Sequence, residues 1–386
     1  MTRFQRKVSW IEIFFDLVFV AAAHQLATVL IHSETIFESI AFLLLFLPIL
    51  WVWVGHTSFT NRFDDSSKLY RFLTVAMMAS VVGLVITLPR AFDDYFMGFA
   101  LSYAFSRFIL IALYMKVMFR NKALHPRLVK TVGFFSLSAV LWFISAFIPN
   151  SYIIWIIAFC IDFTIPIFAN KELSSLSSNS THLPERLGLL TVIMLGEMII
   201  STTATTFQLQ LSIDLVLLII ASIILIAVIS WRYFLFNESC MQDESSQQYG
   251  LLFLYAHLPL YIGLVSLASG FKGVIAGVQT TWLIVLGILL FIASFLSISY
   301  IHEQRMSIKQ LLLFILFLPI LFIFPFFTQS LVFNIIVLCF VIVFYLILSE
   351  YMQRFFQKFF VRKPQKKKYA VSVSQKQRTK DIFGDS

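Results

Sequence analysis

Trp10-Ile11-Glu12-Ile13-Phe14-Phe15-Asp16-Leu17-Val18-Phe19-Val20-Ala21-Ala22-Ala23-His24-Gln25-Leu26 is the stretch on which the reading of the fold turns. It is apolar enough to enter a bilayer, yet it carries two acids and a histidine. A signal peptide would use Arg3, Arg6 and Lys7 as its basic start and Ala21-Ala22-Ala23 as its cleavage site. Glu12 and Asp16 would then lie inside the apolar core of that peptide, where charge is excluded. The segment therefore reads as a retained first membrane helix.

The rest of the chain is of the same kind. Its 386 residues are 59% hydrophobic and 13% charged, with mean hydropathy +0.88; a soluble domain carries about 25% charged residues. Long apolar runs such as Phe42 to Val54 and Leu311 to Phe327 are continuous rather than alternating, so spanning helices are expected rather than a barrel. An all-α protein of about twelve transmembrane helices follows, with spans near residues 10–32, 36–57, 68–88, 95–118, 128–148, 151–170, 184–206, 212–236, 248–270, 278–301, 307–327 and 330–351. Cys160, Cys240 and Cys339 are scattered, two in apolar segments and Cys240 in a polar loop; they form neither a disulfide framework nor a metal cluster. The 44 phenylalanines suit lipid-facing and packing roles.

Charge sets the expected orientation. Of the 29 Lys and Arg, all but Arg90, Lys272 and the intramembrane Arg107 fall on one side of these spans. Basic residues mark the cytoplasmic face, so both termini are placed in the cytoplasm. The tail from residue 352 to 386 is polar and basic, with Arg362-Lys363-Pro364-Gln365-Lys366-Lys367-Lys368, and suits anionic lipid headgroups. Nucleic acid is not an expected partner, since this charge sits at the membrane without a folded domain.

The two halves share features in the same order. Gly83-Leu84-Val85 and Gly263-Leu264-Val265 end the third and ninth spans, preceded by Tyr70 and Tyr249. Trp53 to Asn61 and Trp231 to Asn237 close the second and eighth. Counted back from the two glycines, Asp16 and Glu197 fall at nearly the same distance. A parallel six-plus-six repeat is expected, residues 1–170 and 171–351, an arrangement typical of transporters.

Ionisable groups inside spans are costly, about 2.5 to 3.5 kcal/mol each on insertion scales, and mark functional sites. The candidates for binding an ion or substrate are Glu12, Asp16, His24, Arg107, Asp162, Glu197 and His257, with Ser201 one turn beyond Glu197. Glu12 and Asp16 share one helix face, and His24 lies two turns further along. Arg107 and Asp162 either pair with each other or leave Arg107 to hold an anionic group. Glu185-Arg186 after Pro184 reads as an interfacial helix start. His257 precedes Pro259, whose ring frees backbone carbonyls. No motif for catalysis, a cofactor or a metal is present.

Trp10, Glu12 and Phe14-Phe15-Asp16-Leu17-Val18-Phe19-Val20 resemble the signature helix of the bacterial low temperature requirement A (LtrA) family. Asn61-Arg62-Phe63-Asp64, Glu185-Arg186-Leu187-Gly188, Leu195-Gly196-Glu197 and His257-Leu258-Pro259-Leu260 extend the likeness over the first two thirds of the chain. The resemblance implies a multi-pass bacterial plasma-membrane protein connected with growth in the cold, and implies no substrate. A looser likeness joins Phe15-Asp16 to the Phe-Ser-Asp of six-helix-repeat potassium channels. The leading expectation is a transporter or channel-like permease binding a proton, cation or polar substrate at Asp16 and Glu197. The alternatives are a membrane enzyme or flippase acting on envelope lipids, and a non-catalytic cold-responsive scaffold.

Overall fold

The computed structural model describes residues 8–33, 36–168, 182–210, 212–242, 250–303 and 331–360. Its helices are α1 (Trp10–Ile31), α2 (Ile36–Arg62), α3 (Lys68–Thr87), α4 (Phe96–Arg120), α5 (His125–Ser145), α6 (Tyr152–Phe168), α7 (His182–Ala204), α8 (Ile213–Gln242), α9 (Gly250–Ala256), α10 (Leu258–Ile275), α11 (Thr281–Glu303) and α12 (Leu331–Phe360). Among the described residues there is no strand. Nine helical stretches there are long and apolar enough to cross a membrane, α9 and α10 counting together as Leu252–Ile275. Tyr152–Pro166 in α6 and Val332–Leu348 in α12 are shorter apolar helices. The expected span 307–327 and residues 361–386 of the expected tail lie outside the described residues, and α12 continues through the start of that tail, 352–360. Cys240 falls inside α8 rather than in a loop, because the helix runs on past the apolar segment.

The surface is that of a protein dissolved in lipid. Trp10, Ile13, Phe14 and Leu17 form an outward stripe on α1, and Phe72, Val75, Val82 and Ile86 form one on α3. Polar groups turn inward: Glu12, Asp16, Arg107, Asp162, Arg186 and Glu197 are all buried. Several hydroxyls inside the spans return to their own helix, as Thr87 Oγ1 does to the Gly83 carbonyl (2.8 Å) and Thr191 Oγ1 to the Leu187 carbonyl (2.9 Å). With no water in hydrocarbon, each polar atom needs such a partner.

α1 is surrounded, packing against α2, α3, α7 and α10. Its polar contacts with α7 climb both helices together: Glu12 meets His182, Asp16 meets Arg186, and His24 meets Glu197. The two helices therefore run parallel. α3 to α6 pack in sequence beside them, and α8 holds both α7 and α12. The tight α5–α6 turn, signalled by Pro149-Asn150, places Asn150 at φ 57°, a conformation Asn tolerates better than most residues. α10 and α11 touch through backbone: a Cβ on Gly263 would lie 2.8 Å from the Gly287 oxygen, and one on Gly287 2.6 Å from the Gly263 oxygen.

The α2–α3 loop is locked from α4. Lys116 Nζ donates to Asp65 and to Ser67, the Ser67 amide donates to Asp65 Oδ1 (3.0 Å), and Ser67 Oγ caps α3 at the Tyr70 amide (3.2 Å). Burial opposes ionisation of Asp65, but the hydrogen bonds from Lys116 and Ser67 outweigh it and hold the carboxyl below its ordinary 3.8. Stabilisation from a depressed carboxyl is complete above the unfolded value and is lost as pH falls through the folded one. Acid titration of thermal unfolding should therefore show a fall below pH 3.8 that is shallower in Asp65→Asn. Gly263→Leu should destabilise by about 1–3 kcal/mol through overpacking. Gly196→Ala, where a Cβ meets nothing within 4 Å, should be neutral or stabilising in the same unfolding assay.

Candidate functional site

The richest cluster joins the N-terminal half of α1 to the start of α7. Arg186 Nη2 donates to Asp16 Oδ1 at 2.6 Å, and its Nη1 lies 3.4 Å from Glu12 Oε2. His182 Nε2 meets the same Glu12 oxygen at 2.9 Å. Trp53 Nε1 of α2 donates to Asp16 Oδ1 at 2.7 Å, and the Arg186 guanidinium stands 5.8 Å over the Trp53 ring. Glu12, His182 and Arg186 are each 0% exposed. Among the described residues Asp16 Oδ2, His182 Nδ1 and Arg186 Nε find no hydrogen-bond partner, so the cluster has capacity for further polar contact.

A second cluster lies two to three turns further along both helices. His24 Nδ1 is 3.0 and 3.2 Å from the two Glu197 carboxyl oxygens, and Ser201 Oγ donates to Oε1. Lys272 of α10 donates to Thr28 Oγ1 at 2.8 Å, one turn from His24. Asp16 and Glu197 thus do not meet. Asp16 is level with Arg186, and the eight residues from Asp16 to His24 correspond to about 12 Å along the helix.

The third polar centre is internal to the first six helices. Arg107 Nε lies 3.0 Å from Asp162 Oδ2, the Tyr103 hydroxyl donates to the same oxygen at 2.7 Å, and Arg107 Nη2 donates to Tyr103. Trp51 Nε1 donates to the Asp162 carbonyl at 3.1 Å. Both charges are buried, so Arg107 has its counter-ion and is not left to an external anion. His257 sits at the break between α9 and α10. Its Nδ1 is 2.7 Å from the Phe253 carbonyl, which only accepts, so Nδ1 carries the proton and Nε2 accepts from Tyr233 (3.2 Å). The Ala256 carbonyl at this break accepts from Ser294 of α11. His257 is thus a neutral packing residue joining three helices.

Sequence reading singled out Glu12, Asp16, His24, Arg107, Asp162, Glu197, Ser201 and His257, and the structure groups them as three separate centres plus the helix break. It overlooked His182, Trp53, Tyr103, Thr28 and Lys272, and it read Arg186 as a helix-start residue. The signal for α7 was present: His182, Arg186, Glu197 and Ser201 are separated by 4, 11 and 4 residues, which keeps them on one face at 3.6 residues per turn. Among the described residues no group of three or more His, Cys, Asp or Glu is placed to hold a metal ion. An apolar cavity of ≈ 570 Å³ opens elsewhere, lined by Leu30, Phe42 and Leu43 of α1 and α2 and by Ile262, Ser266 and Trp282 of α10 and α11.

Comparison with known proteins places this geometry in a family. The family described as bacterial low temperature requirement A protein (LtrA) matches residues 7–345. The uncharacterized protein RA0937 of Rhizobium meliloti (strain 1021) is 25% identical over 286 residues, covering 69% of each chain. No solved structure matches.

Breaking a buried ion pair leaves an uncompensated charge and costs about 3–5 kcal/mol, whereas replacing both partners by apolar residues costs far less. Arg107→Met should therefore abolish recovery of folded protein in detergent. The double variant Arg107→Met/Asp162→Leu should restore most of it, as measured by size-exclusion chromatography and thermal unfolding.

Proposed function

The chain belongs to the bacterial low temperature requirement A family, and from that premise we propose that it is a plasma-membrane permease, transporter-like or channel-like, with an acidic site between its halves. The family name ties it to growth in the cold. The observation that carries the reading is the pairing of α1 with α7, in which Glu12, Asp16 and His24 face His182, Arg186 and Glu197. Six ionisable side chains at one helix contact inside a membrane are far more than helix adhesion needs. They suit passage of a proton, a cation or a small polar substrate. Asp16 and Glu197 are the binding acids, one near each end of the contact.

On this reading the chain has twelve spans in two parallel halves, 1–170 and 171–351, with both termini and the basic tail 352–386 in the cytoplasm, the tail against anionic lipid. The parallel run of α1 and α7 supports it. So does the likeness of Gly83 and Gly263, each on the third span of its half and each crowded by the next helix: a Cβ would lie 2.6 Å from Ser102 Oγ in one case and 2.8 Å from the Gly287 oxygen in the other. A second reading, a lipid carrier or lipid-modifying enzyme, is favoured by the ≈ 570 Å³ apolar cavity, whose size lies in the range of ligand sites.

Purified protein in proteoliposomes should carry proton, potassium or sodium flux that falls by at least about tenfold in Asp16→Asn and in Glu197→Gln variants that still elute as folded protein. Unchanged flux in both would overturn the permease reading. A changed lipid profile in a deletion strain, with no flux in vesicles, would favour the lipid reading instead.

A further inference from the structure

Three acids face across the α1–α7 contact: Glu12 is met by the fully buried His182 together with Arg186, and the other two are met by different cations. Asp16 is met by Arg186, a guanidinium that keeps its proton under all physiological conditions. Glu197 is met by His24, and an imidazole is the side chain whose charge changes between roughly pH 5 and 8. The exposure of the second pair is uneven: the Glu197 side chain is 1% exposed and the His24 side chain 41%. One member is enclosed in the protein and the other reaches its surface.

We propose that His24 and Glu197 form a proton-binding site, loaded through the exposed edge of His24, with Lys272, held on Thr28 one turn from His24, as the neighbouring amine. The inference rests on the permease reading only for what the proton does next. In the unloaded state the neutral ring donates Nδ1–H to the Glu197 carboxylate. Loading adds one proton from the medium at Nε2. The Nδ1 proton then passes to Glu197 Oε1, leaving the Nε2–H tautomer beside a neutral carboxylic acid. One proton enters, none leaves, and nothing is oxidised or reduced. The acid's proton donates back to His24 Nδ1, and Ser201 keeps donating to Oε1.

Glu38 lies in the first turn of α2 and Glu185 in the first turn of α7; further ionisable groups on elements packed against α1 are engaged at other levels. His56 of α2 stacks on Phe15 with ring centroids 4.0 Å apart and meets Thr74 of α3 at 3.4 Å, level with Asp16. Tyr70 of α3 stacks on His56. His182 and Arg186 of α7 face Glu12 and Asp16. Tyr261 of α10 donates to the Leu187 carbonyl, and Arg90 beyond α3 pairs with Asp94. Lys272 is the amine that α10 brings to Thr28, one turn from His24.

The test is infrared pH-difference spectroscopy on the full chain in lipid nanodiscs, from about pH 5 to 8. The expected result is a carboxylate-to-carboxylic-acid band pair that moves together with an imidazole band, disappears in Glu197→Gln, and shifts its midpoint in His24→Gln. Identical difference spectra in wild type and Glu197→Gln would overturn the proposal. Should Glu197→Gln fail to fold, Glu197→Asp keeps a carboxyl at the position: a displaced midpoint supports the site, and an unmoved one overturns it. Vesicles loaded with a pH-sensitive dye separate the two readings. Titration of the pair without proton flux sustains the site while overturning the permease. Proton flux with no titration at this pair overturns the site while sustaining the permease.

Discussion

A charge inside hydrocarbon must be met by the protein itself, and on α1 that demand falls on three residues at two depths. Glu12 and Asp16 are met by His182 and Arg186, and His24 meets Glu197. Leaving one such charge alone would cost several kcal/mol, a large share of the net stability of any protein. α1 is thereby tied to α7 in one register and one direction. The other contacts of α1, with α2, α3 and α10, fill in around that register. Trp53 from α2 reaches Asp16, and Lys272 from α10 reaches Thr28.

The polar interior is graded in what it can do. Arg107, Asp162 and Tyr103 form a charge-paired set inside the first six helices. The Asp16–Arg186 cluster is also charge-paired, and among the described residues both sets keep buried polar atoms without a hydrogen-bond partner. The His24–Glu197 pair joins a buried acid to an imidazole that reaches the surface, whereas the His182 imidazole that meets Glu12 is fully buried beside Arg186. All three centres use buried ion pairs, and they differ in which cations meet the acids and in how far those cations reach the surface.

Much of this was legible in one dimension. Apolar runs of membrane length announce spanning helices because lipid leaves the backbone no other way to satisfy its amides. The cost of intramembrane charge marks Asp16, Glu197, Arg107 and Asp162 as inward-facing residues with partners before any contact is known, and the Arg107–Asp162 pair was one of two stated options. Which acid meets which cation was not legible. Arg186 sits one turn into α7 behind Pro184 and Glu185, a context shared by many helix-start residues. Its long side chain reaches Asp16 only because α1 lies beside α7 in parallel. Lys272 looked like a loop charge because α10 extends through it to Ile275.

Composition and spacing alone therefore determined that this is an α-helical membrane protein with acids at fixed points on α1 and α7. These follow from local quantities, namely transfer free energy per residue and helix periodicity. The tertiary structure alone decided that Asp16 and Glu197 sit at different depths along the α1–α7 contact, with different partners. That depends on the relative depth of two helices separated by some 170 residues of chain, and no local property of either helix encodes it.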